Sequence, residues 1–390
     1  MKRFLLLVVV SALAACAGGP ETVPSRDPAG GGAGGDGGDG GSGGIGGFGG
    51  EGGSGGANGE LVPASRREVQ FASAAADGFV HVGTLQIPEH PAGARLPAVI
   101  FAHGSGPHTR DEPLGSQLGM GFGVTIPVFA ELGDALQAAG FVVLRFDKRS
   151  CGPFNGCADN GYELKDPDAI TIDTFVEDVE GGLAFLAEQP EVDPARLFFV
   201  GHSKGASYAP RLLTDHPELR AGVMLAGPWS SIEVGLAYQA EKLAELMAAT
   251  GATEAQIDAV VGPIRQQAEQ LEELRAGTFA GTRIAGMALA YWRSWQRLSD
   301  EAPGLATALD RPLLVLSGDY DWNVPPDETE AWAAHFGDDS IHRARVLGCV
   351  THALNCISQP DWKKIRPGDI GAHVDPQVID AVVGFLAANR

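Results

Sequence analysis

From about Arg66 onward, short apolar, β-branched or aromatic runs alternate with stretches of helical spacing. No other feature constrains the fold of this chain as strongly. Strands are expected at Glu68–Ser73, Phe79–Ile87, Leu96–Ala102, Phe141–Phe146, Leu197–Val200, Ala221–Leu225, Pro312–Leu316 and Ile341–Leu347. The first two flank Ala76-Asp77-Gly78, a turn signal that predicts a hairpin. Helical stretches such as Val128–Ala139 and Thr174–Gln189 separate the later runs. Strands joined by helices build a largely parallel sheet covered on both faces. At 390 residues, 44% of them hydrophobic, the chain can bury such a core with an appendage to spare.

One segment breaks the alternation. About 80 residues between Gly227 and Asp310 carry no clear strand. Thr253-Glu254-Ala255-Gln256 reads as a capping box, after which Ile257, Val260, Val261, Ile264, Ala268, Leu271 and Leu274 recur at helical spacing. Pro263 is expected to kink that helix. A second helical pattern, Ile284 to Leu298, carries Tyr291, Trp292 and Trp295. Residues 229–307 are therefore expected to form a helical cap inserted into a core of 66–228 and 308–390.

The N-terminus reads as targeting rather than fold. Lys2 and Arg3 precede an apolar stretch, Phe4 to Leu13, too short to span a bilayer as a helix. Leu13-Ala14-Ala15-Cys16 resembles the lipobox of bacterial lipoproteins. That resemblance implies a signal peptide over 1–16, lipidation of Cys16 and export to a membrane. With Ala17 rather than Asp after the cysteine, it points to the outer membrane. Residues 17–65 are expected to be a tether: from Gly30 to Gly59, 20 of 30 residues are glycine. Such a segment loses much backbone entropy on ordering and has little to bury. As a flexible coil of about 45 residues it reaches roughly 35–40 Å. The anchor is the only membrane contact expected.

Four cysteines remain after Cys16, an even number that suggests disulfides in an exported protein. Of three possible pairings, Cys151–Cys157 and Cys349–Cys356 are favoured because each closes a short loop. The formal net charge of −21 disfavours a nucleic-acid partner. No H-E-x-x-H or C-x-x-C pattern suggests a metal, and no cofactor is expected.

Gly201-His202-Ser203-Lys204-Gly205 follows the run Leu197-Phe198-Phe199-Val200 and precedes a helix-compatible run, Ala206 to Leu213. This is the G-x-S-x-G elbow in its strand–turn–helix setting. A sharp turn lifts the serine hydroxyl above the sheet edge, and the backbone N–H of Lys204 faces a developing oxyanion. His103-Gly104-Ser105-Gly106-Pro107 follows another strand, and Ser105 is the natural second N–H donor. His103 is expected to be structural. His108 and Arg110 are expected to be solvated loop residues or to line the mouth of the site. Lys148 and Arg149 are expected to serve packing or salt bridges.

The order H-G-S-G, then G-H-S-K-G, then a late acid and a histidine resembles the α/β-hydrolase superfamily. His103 to Glu112, with Phe146-Asp147-Lys148-Arg149-Ser150, resembles a bacterial esterase branch with H-G-S-G-P-x-D-R-D and D-K-R-G motifs. Thr109 and Ser150 depart from it. The resemblance implies an eight-stranded, mostly parallel sheet with a helical cap. Within Ser317-Gly318-Asp319-Tyr320-Asp321-Trp322-Asn323-Val324-Pro325, registering on Gly318 and Val324-Pro325 places the acid at Asp321, with Asp319 as the alternative. His352, beyond the last strand, is expected to be the base, with His373 the competitor.

Together these residues predict acyl transfer to Ser203 and hydrolysis of a small acyl ester. Tyr291, Trp292 and Trp295 are candidate walls for the substrate, or else plain cap packing. A serine peptidase, a thioesterase and an inactive tethered binding module are the alternatives.

Overall fold

The computed structural model describes residues 60–115, 124–157, 168–338 and 341–390. The expected signal segment, Cys16 and the glycine-rich stretch to residue 59 lie outside the described residues. The tether was expected to run to residue 65, but Leu61–Val62 already pairs antiparallel with His90–Pro91. These two apolar residues stand just past Glu60 and lose less backbone entropy in a ladder than glycine would.

Eight strands form one sheet: β1 (Ser65–Ala72), β2 (Val80–Ile87), β3 (Leu96–Ala102), β4 (Val142–Phe146), β5 (Val192–His202), β6 (Leu219–Leu225), β7 (Leu313–Tyr320) and β8 (Arg343–Thr351). Their order is β8-β7-β6-β5-β3-β4-β2-β1. Pairing is antiparallel at β1–β2 and β2–β4 and parallel from β4 across to β8. Each expected run is one of these strands. The ends differ most at β5, which starts at Val192 rather than Leu197.

Side chains alternate across the sheet, and the core divides accordingly. On β3, Ala98, Ile100 and Ala102 join one apolar cluster while Val99 and Phe101 join the other. Buried on both faces, central parallel strands read as continuous apolar runs. The first cluster packs under α2 (Ile172–Ala187), α3 (Ala209–Asp215) and Trp332 of a later helix. The second packs under α1 (Val128–Ala138) and, at the chain's end, the helix Pro376–Ala388. The sheet is thus covered on both faces.

Between β6 and β7 the chain forms α4 (Ile232–Ala249), α5 (Glu254–Ala276) and α6 (Leu289–Ala308). The Thr253–Gln256 capping box is formed, and Gly277 ends α5 at φ +74°. The helix continues through Pro263. The second helical pattern starts later than expected, at Leu289, because a two-stranded ribbon pairs Arg283–Ile284 with Met287–Ala288. Gln296 Nε2 donates to the Leu271 carbonyl at 2.9 Å, and Arg275 bridges Glu233 and Asp300, tying the three helices together. Past β7 come α7 (Pro326–Phe336) and α8 (Pro376–Ala388). No helix among the described residues is long and apolar enough to cross a membrane.

Both expected disulfides are present, Cys151–Cys157 and Cys349–Cys356. Near the first, the Arg149 side chain is buried. Its Nε donates to Asp178 Oδ2 at 2.7 Å and its Nη1 to Asp77 Oδ2 at 2.6 Å. Asp178 lies on α2 and Asp77 in the β1–β2 turn, so one guanidinium joins three elements. Such a pair adds little net stability, but removing one partner strands a buried charge. Arg149→Met should cost about 3–5 kcal/mol in denaturant unfolding. A loss under about 1 kcal/mol would show that His81, whose Nε2 lies 2.8 Å from Asp178 Oδ1, suffices as its partner.

Candidate active site

Strand β5 ends on His202, and Ser203 follows at φ +52°. A non-glycine residue enters this left-handed region only where its surroundings hold it there. A 3-10 turn, Ser203–Tyr208, then leads into α3, so the helix begins with a tighter turn than the sequence predicts. The close approach explains both glycines. A Cβ on Gly201 would lie 2.4 Å from the Gly205 carbonyl oxygen, and one on Gly205 would lie 2.3 Å from that of Ala102. Ser203 remains partly accessible while both its neighbours are buried.

Strands β7 and β8 deliver the next two groups. Their parallel register pairs Gly318 with Leu347, then resumes with Tyr320 opposite Thr351. The longer path on β8 is taken up around Cys349, at φ +62°. The residues after this last pair are Asp321 and His352. The His352 Nδ1 lies 2.9 Å from Asp321 Oδ2 and 3.1 Å from Oδ1. Asp321 is 1% exposed, and its Oδ1 also accepts the Asn323 and Val324 N–H groups, each at 2.9 Å. These bonds hold the carboxylate plane against the imidazole. Asp319 is exposed instead, and His373 pairs with Glu131 on the surface at 2.8 Å.

The His352 loop is docked onto the serine turn. His202, immediately before Ser203, has its Nε2 2.9 Å from the His352 carbonyl oxygen, and the two rings lie 4.8 Å apart. The Cys349–Cys356 disulfide closes the loop from the other side, beside a Thr351 N–H bond to the Asn355 carbonyl at 2.8 Å.

The turn after β3 packs against the same serine. A Cβ on Gly104 would lie 3.1 Å from Ser203 Cβ. Beside it, the Ser105 N–H has no hydrogen-bond partner among the described residues. The Lys204 backbone sits one residue past Ser203. Its ammonium reaches away, 4.1 Å from the Phe175 ring centre and 3.4 Å from the Tyr291 hydroxyl.

The three cap aromatics divide. Trp292 is fully buried and its Nε1 donates to the Ile284 carbonyl at 3.0 Å, holding the ribbon, so it presents no face to a substrate. Tyr291 and Trp295, also buried, surround the Lys204 ammonium. His108 and Arg110 are not solvated loop residues either. Arg110 makes a two-pronged contact with Asp147, Nε to Oδ1 at 3.0 Å and Nη2 to Oδ2 at 2.7 Å. His108, buried, meets the Ser105 carbonyl through its Nε2.

Sequence reasoning passed over Glu112. It is fully buried at φ +45°, and its Oε1 accepts the Gly104 N–H at 2.7 Å and faces His202 Nδ1 at 3.2 Å. Burial opposes its charge, yet the His202 ring beside it holds the carboxyl down at about 2. Against the same burial, Glu112 raises the His202 imidazole. A buried carboxylate–imidazole pair therefore stands behind the serine turn. No spacing rule marks it, since its members are 90 residues apart. One trio of metal-type donors among the described residues, Cys349, Cys356 and Asp375, has both sulfurs committed to the disulfide.

Burial pushes His103 down to about 3 and His108 to about 4, against the attraction of Glu112. Both are neutral when folded, while in the unfolded chain they protonate near 6.5. Their stability contribution is complete above that value and is lost as pH falls toward the folded values. Each costs about 1.4 kcal/mol per pH unit in that window. His108→Gln should flatten the fall of unfolding free energy between pH 6 and pH 4 by about that slope. An unchanged slope would mean that His108 takes up its proton in the folded protein.

An elbow serine at the edge of a mostly parallel eight-stranded sheet, with helices on both faces, defines an α/β-hydrolase. The chain belongs to the serine aminopeptidase S33 family, whose model matches residues 118–354. It is 25% identical over 307 residues to Esterase EstD of Thermotoga maritima, a match covering 78% of this chain and 65% of that esterase. It is 28% identical over 186 residues to an uncharacterized protein of Mycobacterium tuberculosis, covering 44% of this chain and 57% of the other. The chain therefore spans less than two thirds of the length of either relative. The solved α/β hydrolase GrgF from Penicillium matches with a TM-score of 0.49 at 16% identity, over 83% of this chain and 99% of that one.

Proposed function

We propose that this hydrolase cleaves carboxylic esters through an acyl-enzyme on Ser203. The observation that carries this reading is the Asp321–His352 couple, closed at 2.9 Å and docked through His202 onto the elbow that holds Ser203 at φ +52°. His352 takes the hydroxyl proton as Ser203 attacks the carbonyl, then returns it to the leaving alcohol. Asp321, bonded to Nδ1, keeps the proton-accepting nitrogen turned outward and stabilises the imidazolium as it forms. The Ser105 and Lys204 N–H groups receive the oxyanion. Water activated by His352 then releases the acid.

The match to Esterase EstD supports ester over peptide. The family's description favours a second reading, a serine aminopeptidase with the same three residues. Relative rates on short p-nitrophenyl esters and aminoacyl anilides separate them. An unreactive fluorophosphonate probe would point instead to a binding module.

Ser203→Ala should lower turnover by on the order of 10⁴–10⁶ with an unchanged unfolding midpoint. Asp321→Asn should be severe and Asp319→Asn mild. Full activity of the Ser203 variant would end the proposal, and the reverse order at the aspartates would move the acid.

The proposal extends to the N-terminus. Cys16 carries the lipid of an exported, membrane-tethered enzyme, on the support of the lipobox-like Leu13-Ala14-Ala15-Cys16 and the glycine-rich stretch behind it. Several acyl chains give stable anchoring where one does not. Cys16→Ser should abolish incorporation of a palmitate analogue and move the protein out of the membrane fraction. Labelling that persists in the variant would refute the anchor.

A further inference from the structure

The turn after β3, which packs on Ser203, is held by two side chains that touch neither Asp321 nor His352. Lys148, in the loop after β4, is 5% exposed. Its Nζ donates to the Gly104 carbonyl and, at 2.8 Å, to the Gly106 carbonyl. On the other side of the same residue, Glu112 Oε1 accepts the Gly104 N–H at 2.7 Å. Further contacts complete the clamp. His108 Nε2 lies 2.5 Å from the Ser105 carbonyl oxygen, and the Ser150 hydroxyl donates to the Gly106 carbonyl at 3.2 Å.

Peptide geometry gives this arrangement a consequence. In a planar trans peptide the C=O of one residue and the N–H of the next point in opposite directions. An ammonium that holds the Gly104 carbonyl on one side therefore directs the Ser105 N–H to the other. It also withdraws electron density through the amide, which strengthens that N–H as a donor. Glu112 fixes the preceding peptide, so the plane cannot swing about Gly104, the residue with the freest backbone. Gly104 packs directly on Ser203.

We propose that Lys148 and Glu112 are positioning residues for oxyanion stabilisation, setting the Gly104–Ser105 peptide so that the Ser105 N–H faces the bond being attacked at Ser203. This rests on the serine-hydrolase reading above. It gives the D-K-R loop after β4 a task in the reaction, and it explains why that loop and the H-G-S-G turn are packed together. Neither side chain touches the substrate. Both act by removing the reorganisation that a free glycine turn would need at each turnover.

The test uses the full chain, a p-nitrophenyl ester and an alkyl trifluoromethyl ketone, whose adduct with a serine places an oxyanion in the hole. Lys148→Met should lower kcat roughly 10- to 100-fold, below the full cost of deleting an oxyanion donor, with KM within about threefold. The ketone's inhibition constant should rise by the same factor, and the acid limb of the pH–rate profile should stay in place. Lys148→Arg, which keeps a cationic donor, should recover part of both losses.

A folded Lys148→Met enzyme whose ketone affinity matches the wild type overturns the proposal, whatever happens to kcat. If Lys148→Met does not fold, Lys148→Gln, whose shorter amide cannot hold both carbonyls, is judged by the same two constants. Ser203→Ala runs beside them: if it binds the ketone and turns over ester normally, the serine reading has failed rather than the positioning one.

Discussion

At the carboxyl edge of the sheet, the turn after β5 lies so close to the end of β3 that Gly205 has no room for a side chain. A Cβ there would stand 2.3 Å from the Ala102 carbonyl oxygen. This backbone contact governs the rest of the site. It sets Ser203 against Gly104 and holds a non-glycine residue at a positive φ. Strain of this kind persists only when the surroundings over-determine it. Here the surroundings are two buried parallel strands and the helix that follows.

Around that contact the protein builds two carboxylate–imidazole couples of different character. Asp321 and His352 stand at the partly open edge, where the imidazole keeps some exposure. Glu112 and His202 are buried. Glu112 Oε1 accepts the Gly104 N–H on one side, and His202 Nε2 meets the His352 carbonyl on the other. The second couple ties the two loops that flank the serine. The neutral His103 and His108 belong with the second, since burial removes their charge and leaves them as shape and hydrogen-bonding groups.

The cap is joined to the core by polar contacts as well as apolar ones. Ser294 of α6 accepts the Ile172 N–H at the start of α2, and Arg297 pairs with Asp173 at 2.5 Å. Tyr291 and Trp295 close over the Lys204 side chain, one residue from Ser203. A shift of α6 would therefore be felt next to Ser203. Trp292 belongs to the interior of the cap, where its indole anchors the small ribbon.

The sheet was legible in the sequence because burial on two faces leaves a local signature. Each core strand is a short apolar run between turn residues, and all eight runs can be read without knowing their neighbours. The elbow was legible for a related reason: its glycines and serine are adjacent in the chain. So were both disulfides, each closing a loop of a few residues. What the sequence could not decide was which distant polar groups meet. Asp321 rather than Asp319 reaches His352 because of where the β7–β8 register resumes after Gly318. Glu112 finds His202 across 90 residues, and Lys148 finds Gly104 across 44. Composition and periodicity record how much of a side chain is buried. They carry no record of its partner, because that is set by the order and twist of strands that only the folded sheet brings together.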